Sequence, residues 1–210
     1  MQPGRVLQVE PVTLGGKFVR LEPLALHHVP ALLEVARADY FQFYITLQPR
    51  EISLAGMEEF VRASLAIPTM QAFVQVIPST GQVVGMTSYL DIRPEHRALE
   101  IGFTWIAEPW QKTAVNPEAK YMLLRHAFET LGCVRVQLKT DSRNAQSIAA
   151  MTKLGAVREG TLRRFGIQPN GYVRDTVMFS ILPEEWPDVR KRLIARLAAF
   201  ETAADLREGG

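Results

Sequence analysis

The stretch 99–138, LEIGFTWIAEPWQKTAVNPEAKYMLLRHAFETLGCVRVQL, reads as strand, loop, helix, strand. Residues 99–106 are rich in the β-branched and aromatic side chains that strands prefer. Residues 107–116 form a polar loop carrying Pro109. Pro117 suits a first helical position, where its missing N–H loses no partner, and Asn116 suits the N-cap before it. Ala119, Leu123, Leu124, Ala127, Phe128 and Leu131 recur at helical spacing and make one apolar stripe, and Gly132 suits the helix C-terminus. Val134, Val136 and Leu138 alternate with Arg135, Gln137 and Lys139, the pattern of a half-buried strand. Two strands joined by one helix imply a parallel crossover, which puts the helix N-terminus at the C-terminal edge of the first strand. Free backbone N–H groups and the helix dipole meet there and suit a phosphate.

Upstream, Gly15-Gly16 is a turn and residues 17–21 alternate as a strand that Pro23 ends. Residues 27–38 carry Val29, Leu32, Leu33, Val35 and Ala36 as an amphipathic helix. Residues 39–49 form a loop holding Tyr40, Phe41, Phe43 and Tyr44. Ser53 can cap a second helix whose apolar face is Met57, Phe60, Val61 and Leu65. Segments 71–77 and 83–92 read as a hairpin around the turn 78–81, and 93–97 connects to the central strand. Downstream, 144–154 is a short helix capped by Asn144 and stopped by Gly155. Segments 157–167 and 172–181 flank Pro169-Asn170-Gly171, a strong hairpin signal. Pro183 opens a last helix through Phe200, and 201–210 is expected to fray. Residues 1–13 read as a loose arm or an added edge strand. No repeat, low-complexity tract or long linker divides the chain, so 1–210 is expected to be one domain.

The 210 residues are enough for a sizeable core, with 47% hydrophobic and 22% charged residues, ordinary for a globular chain. Net charge is +2, from 24 basic and 22 acidic residues, which gives no pull toward nucleic acid or anionic membrane. One cysteine, Cys133, excludes an intramolecular disulfide framework and is expected to be buried packing. The start lacks the apolar run of a signal peptide, and no stretch approaches the roughly 18 apolar residues of a spanning helix. A cytoplasmic protein is the default expectation. His27, His28, His96 and His126 have no partner at metal-ligand spacing, and no metal is expected.

The loop Gln111-Lys112-Thr113-Ala114-Val115-Asn116 between strand and helix, followed by Asn144, Ser147 and Lys153-Leu154-Gly155-Ala156, resembles the GNAT N-acetyltransferases, and within them the RimJ/RimL-type branch. The likeness runs from about Leu14 to Trp186 and is densest over residues 100–156. It implies an α/β (α+β mixed) GNAT-like fold, a twisted mixed sheet of about seven strands with helices on both faces. It also implies acetyl transfer from acetyl-CoA to a primary amine, either a protein N-terminus or a small-molecule amine such as an amino sugar. Relatives admit a homodimer.

In the family, backbone N–H groups of a Gln/Arg-x-x-Gly-x-Gly/Ala loop hold the coenzyme pyrophosphate. Residues 111–116 occupy that place, with Lys, Ala and Asn at 112, 114 and 116, where relatives often have glycine. Alanine still allows close approach but resists positive φ, and Lys112 adds a charge that can face a phosphate. Without the resemblance this is a solvated loop and a helix cap. Thr104 and Ile106 are ordinary strand residues that the resemblance assigns to the pantetheine arm and acetyl carbonyl. A parallel neighbour that splays away would open the slot. Asn144 and Ser147 read either as a cap and a first-turn serine or, by resemblance, as coenzyme contacts.

Glu100, an acid in a central strand, must be at an edge, paired or in a cleft. Some relatives use an acid on this strand, often through water, to take the proton from the amine, which makes Glu100 the candidate base. Strand parity puts it on one face with Gly102, Thr104 and Ile106. Many relatives carry a proton-donating tyrosine seven residues after the helix-start Asn. Here that position is Met151, which has no proton to give, so Ser147, water or the amine's own proton must serve. The aromatic group 40–44 is expected to be half core and half cover for the acceptor. A second reading is a GNAT-fold coenzyme-binding or regulatory module without catalysis, supported by the missing loop glycines.

Overall fold

The computed structural model describes residues 6–45 and 47–208. Its elements, in chain order, are β1 (Leu14–Gly15), β2 (Arg20–Pro23), α1 (Val29–Val35), α2 (Leu54–Leu65), β3 (Gln71–Val76), β4 (Val83–Arg93), β5 (Ala98–Ile106), α3 (Val115–Arg125), β6 (Arg135–Asp141), α4 (Ala145–Leu154), β7 (Val157–Ile167), β8 (Val173–Ile181) and α5 (Trp186–Glu208). One sheet runs in the order β1-β2-β3-β4-β5-β6-β8-β7, antiparallel except for the parallel pair β5–β6. The strands number eight rather than about seven, because Leu14–Gly15 pairs with Leu21 and Arg20.

Helices cover both faces. Ala119, Met122, Leu123 and Leu124 of α3 pack with Phe73, Tyr89, Leu99 and Ile101 of the sheet and with Trp186, Val189 and Leu193 of α5. On the other face, Val29 and Leu32 of α1 and Met57, Phe60 and Val61 of α2 pack on Val74, Val76, Met86 and Trp105. The apolar stripe expected on this helix is the seam of one core and runs past α3 through a π-helical turn, His126–Thr130: Ala119, Leu123, Leu124 and Ala127 are buried, Phe128 and Leu131 half-buried. Among the described residues, no helix is long and apolar enough to cross a membrane.

Several boundaries differ from expectation. The helix expected over 27–38 is only Val29–Val35, flanked by 3-10 turns at Leu26–His28 and Ala38–Phe41. Leu65, assigned to the apolar face of α2, is 49% exposed. The last helix begins at Trp186, beyond Pro183, and continues to Glu208, so the expected fraying from 201 is not seen there; 209–210 lie outside the described residues. The N-terminal segment is neither loose nor a strand in its described part: Leu7 is buried and its N–H donates to Pro94 O at 3.1 Å. Residues 1–5 of that expected arm lie outside the described residues.

Candidate active site

The parallel pair β5–β6 is short. Ala98, Leu99 and Glu100 face Arg135, Val136 and Gln137, and the register ends there. β5 continues to Ile106, while β6 continues to Asp141 alongside β8. The β6-facing edge of residues 101–106 has no strand partner; of its backbone groups, Gly102 O accepts from Thr104 Oγ1 at 3.3 Å and Ile106 O from a loop side chain. The divergence coincides with a bulge. Ser88 pairs with Gly102 but Met86 pairs with Trp105, so β5 holds one extra residue there. Phe103 sits at φ +54, a strained conformation for a bulky side chain. Its ring is held by Tyr44 at 4.7 Å and Phe60 at 5.7 Å between centroids.

The bulge corrects the expected side-chain parity. Glu100 and Gly102 share the α1–α2 face with Trp105. Thr104 and Ile106 turn to the α3 face, where Thr104 Oγ1 lies 2.8 Å from Thr87 Oγ1 and accepts from Lys120 Nζ at 3.0 Å. Lys120 is half-buried on α3, and burial of its ammonium pushes the pKa down to about 8. The sequence reading passed over it, although Lys120 stands three and four residues before Leu123 and Leu124, inside the apolar stripe.

Glu100 is 2% exposed. Its carboxylate pairs with Lys139 Nζ at 2.8 Å and accepts from Gln137 Nε2 at 3.2 Å. At Gly102 a Cβ would come within 2.9 Å of Glu100 Oε1, so glycine keeps that side of the carboxylate clear. Lys139 is a further residue the sequence reading used only as a strand marker.

The loop 111–116 differs in detail from expectation. α3 begins at Val115 with Ala114 as N-cap, so Asn116 and Pro117 lie inside the first turn. Proline is tolerated there because first-turn N–H groups have no intrahelical partner, and Asn116 adopts the helical conformation that a following proline disfavours. Asn116 Oδ1 is buried without a partner among the described residues. Capping falls instead to Thr113, whose Oγ1 accepts from Val115 N at 3.3 Å and donates to Trp110 O at 2.7 Å. Gln111 Nε2 donates to Ile106 O at 3.0 Å, which ties the loop to the strand end. Ala114 has φ −68 and needs no glycine; the left-handed residue is exposed Lys112, at φ +61. Val115 is buried, and its N–H is taken by Thr113.

Asn144 caps α4 as expected, accepting from Ser147 N at 3.0 Å, and Gly155 ends the helix at φ +96. Ser147 is half-buried, and its Oγ has no partner among the described residues. Met151 is buried in the core. Asn144→Ala is expected to cost about 1 kcal/mol in urea unfolding, the ordinary loss of an N-cap.

The aromatic loop packs into the core beside α2 and β5. Phe41 is buried against Phe60 and Trp105, and Tyr40 stacks on Trp105 and accepts from Glu108 N at 2.9 Å. The β7–β8 hairpin ties it down: Arg174 Nη1 donates to Phe43 O at 2.7 Å and Gln168 Nε2 to Gln42 O at 3.1 Å. Arg143 braces the hairpin, its guanidinium 3.4 Å from the Tyr172 ring and paired with Asp141 at 2.7 Å. Burial alone would raise Asp141, but the Arg143 hydrogen bonds hold it below the usual carboxylate value. Cys133 is buried, as expected.

A parallel pair that parts beside a helix N-terminus defines a class, and the comparisons agree with it. The acetyltransferase (GNAT) domain model matches residues 19–157, and the chain belongs to that family. A structure described as a "putative acetyltransferase" from T. thermophilus superposes with a TM-score of 0.84 at 40% identity, covering 91% of this chain and all (100%) of that one. Bacillus subtilis "Putative ribosomal N-acetyltransferase YdaF" is 33% identical over 106 residues, which are 50% of this chain but only 57% of YdaF. Mycobacterium smegmatis RimJ, solved with CoA-disulfide, shares the fold at TM-score 0.75 and 22% identity, over 89% of this chain and 95% of RimJ.

Proposed function

We propose that this protein moves an acetyl group from acetyl-CoA to a primary amine, on a protein N-terminus or a small molecule, within one domain spanning the chain. The observation that carries this is the unpaired β5 edge, residues 101–106, leading to the N-terminus of α3. The residues present fit the coenzyme. An extended strand edge suits an amide-bearing pantetheine arm, and first-turn N–H groups suit a pyrophosphate. The orphaned Asn116 Oδ1 suits a donor on the ligand.

On this reading Lys112 faces phosphate. Backbone groups of Gln111, Thr113, Ala114, Val115 and Asn116 form the cradle, and Thr104 and Ile106 line the arm. Asn144 and Ser147 close the slot from α4, with Ser147 positioning or relaying a proton. An unpaired β5 N–H meets the carbonyl oxygen as charge develops on it. Glu100 takes the amine's proton from the α1–α2 face. Bound acetyl-CoA supplies the activated acyl group, and the chain supplies orientation and proton transfer.

Isothermal titration with acetyl-CoA, then turnover over N-terminal peptides and small amines, tests the reading. Micromolar binding with turnover supports it. No binding at high micromolar ligand overturns it, and binding without turnover on any amine favours the inactive module, for which the glycine-free loop speaks. Lys112→Gly is expected to weaken coenzyme binding more at low than at high salt, because the lost contact is charge on charge. The same change should leave folding stability equal or higher, since glycine accepts the positive φ. Affinity equal to wild type at both salts would remove Lys112 from the cradle.

A further inference from the structure

We propose that Lys120 serves the leaving sulfur: its Nζ, set against Thr104 on the α3 face of the unpaired β5 segment, stabilises the coenzyme thiolate as an ammonium counter-charge. The proposal rests on the acetyl-transfer reading and adds a group to it. An ammonium has three N–H donors, and one of Lys120's is accounted for, by Thr104 Oγ1 at 3.0 Å. Among the described residues no carboxylate pairs with it. Glu118, on its own helix, is committed to the backbone of residues 17–19. Glu100 and Lys139 pair with each other on the opposite face, and Arg125 lies over the Tyr121 ring. The hydroxyls of Thr104 and Thr87 orient Nζ without neutralising it. A half-buried cation with no counter-ion favours a ligand that brings negative charge.

Met151 stands where relatives carry a proton donor and cannot act as one. The bulge puts Glu100 on one face of β5 and the Lys120 cation on the other. As the carbon–sulfur bond breaks, its electron pair stays on sulfur. The thiolate rests against the Lys120 ammonium and takes its proton from water on release, while the acceptor amine's proton goes to Glu100 and from there to water. Burial pushes Lys120 to about 8, so at pH 7 it is still mostly ammonium.

The test needs no acceptor. The thiol of free coenzyme A is titrated by its thiolate ultraviolet absorbance, alone and bound to the protein. Cys133, the only cysteine, does not interfere, since burial pushes its thiol up to about 12. Wild type should lower the bound thiol by about one pKa unit or more, as neighbouring cations do. Lys120→Met should return it to the free value or above, whereas Lys120→Arg should keep it low. Removing an unpaired half-buried charge should leave the fold intact, which circular dichroism checks. A bound thiol in wild type that titrates like the free one overturns the proposal. So does a lowered thiol that persists in Lys120→Met or is abolished by Ser147→Ala alone. Coenzyme A that does not bind wild type at all overturns the acetyl-transfer reading instead.

Discussion

Glu100→Gln should lower kcat by about 100-fold or more and leave acetyl-CoA affinity unchanged. The loss is the ordinary worth of a missing general base, about 10²–10⁴-fold. The amide keeps the shape and can still accept from Gln137, so the strand keeps its course. The coenzyme slot lies along the outer edge of β5 and the α3 N-terminus, away from the Glu100 side chain, which is why affinity should not move. Lys139 loses its ionic partner, but it is 25% exposed and can turn to water, so the stability cost should be near 1 kcal/mol. The measurement is steady-state acetylation beside isothermal titration, using the first acceptor found. An unchanged kcat would remove Glu100 from proton transfer and leave the Glu100–Lys139 pair a structural one. A parallel loss of affinity and stability would point the same way.

Local signals explain what was legible before the structure. The crossover 99–138, the Asn144 cap, the Gly155 stop and the Asn170-Gly171 hairpin each rest on residues within a few positions of one another. All four are present. The departures come from distant contacts. The bulge at Phe103 depends on Tyr44 and Phe60, some sixty and forty residues upstream, and no pattern within β5 announces it. Without the bulge, alternation assigns Thr104 to the wrong face, and Lys120 has nothing to meet. The start of α3 was misread because Pro117 marks a first turn, not a unique position in it. The N-terminal segment escaped because Leu7 is held by Pro94, across the sheet's connection, and not by any periodicity of its own.

Glu118→Ala should destabilise the fold by about 3 kcal/mol, the largest stability effect of a single side-chain deletion near the site. Glu118 is buried in α3, and its carboxylate leaves the helix to collect three backbone donors. Oε1 accepts from Lys17 N at 2.8 Å, and Oε2 from Phe18 N at 2.6 Å and Val19 N at 2.7 Å. Hydrogen bonds to a charged acceptor contribute about 1.5–3 kcal/mol each. Lys17 is exposed and water can replace its share, but Val19 is fully buried and its N–H would be orphaned. The contact is close because Gly16 permits it: a Cβ there would lie 2.5 Å from the Glu118 carboxyl and 2.7 Å from Val19 O. Gly16→Ala should therefore cost much in wild type and less in a Glu118→Ala background, a coupling that a double-mutant cycle in urea reads directly. The clamp anchors the first turns of α3, whose free N–H groups form the proposed phosphate cradle. Glu118→Ala should thus also weaken acetyl-CoA binding under conditions where the variant is still folded. Additive costs for the two substitutions, or a folded Glu118→Ala variant with undiminished stability, would show that the β1–β2 turn and α3 are held together by their apolar packing alone.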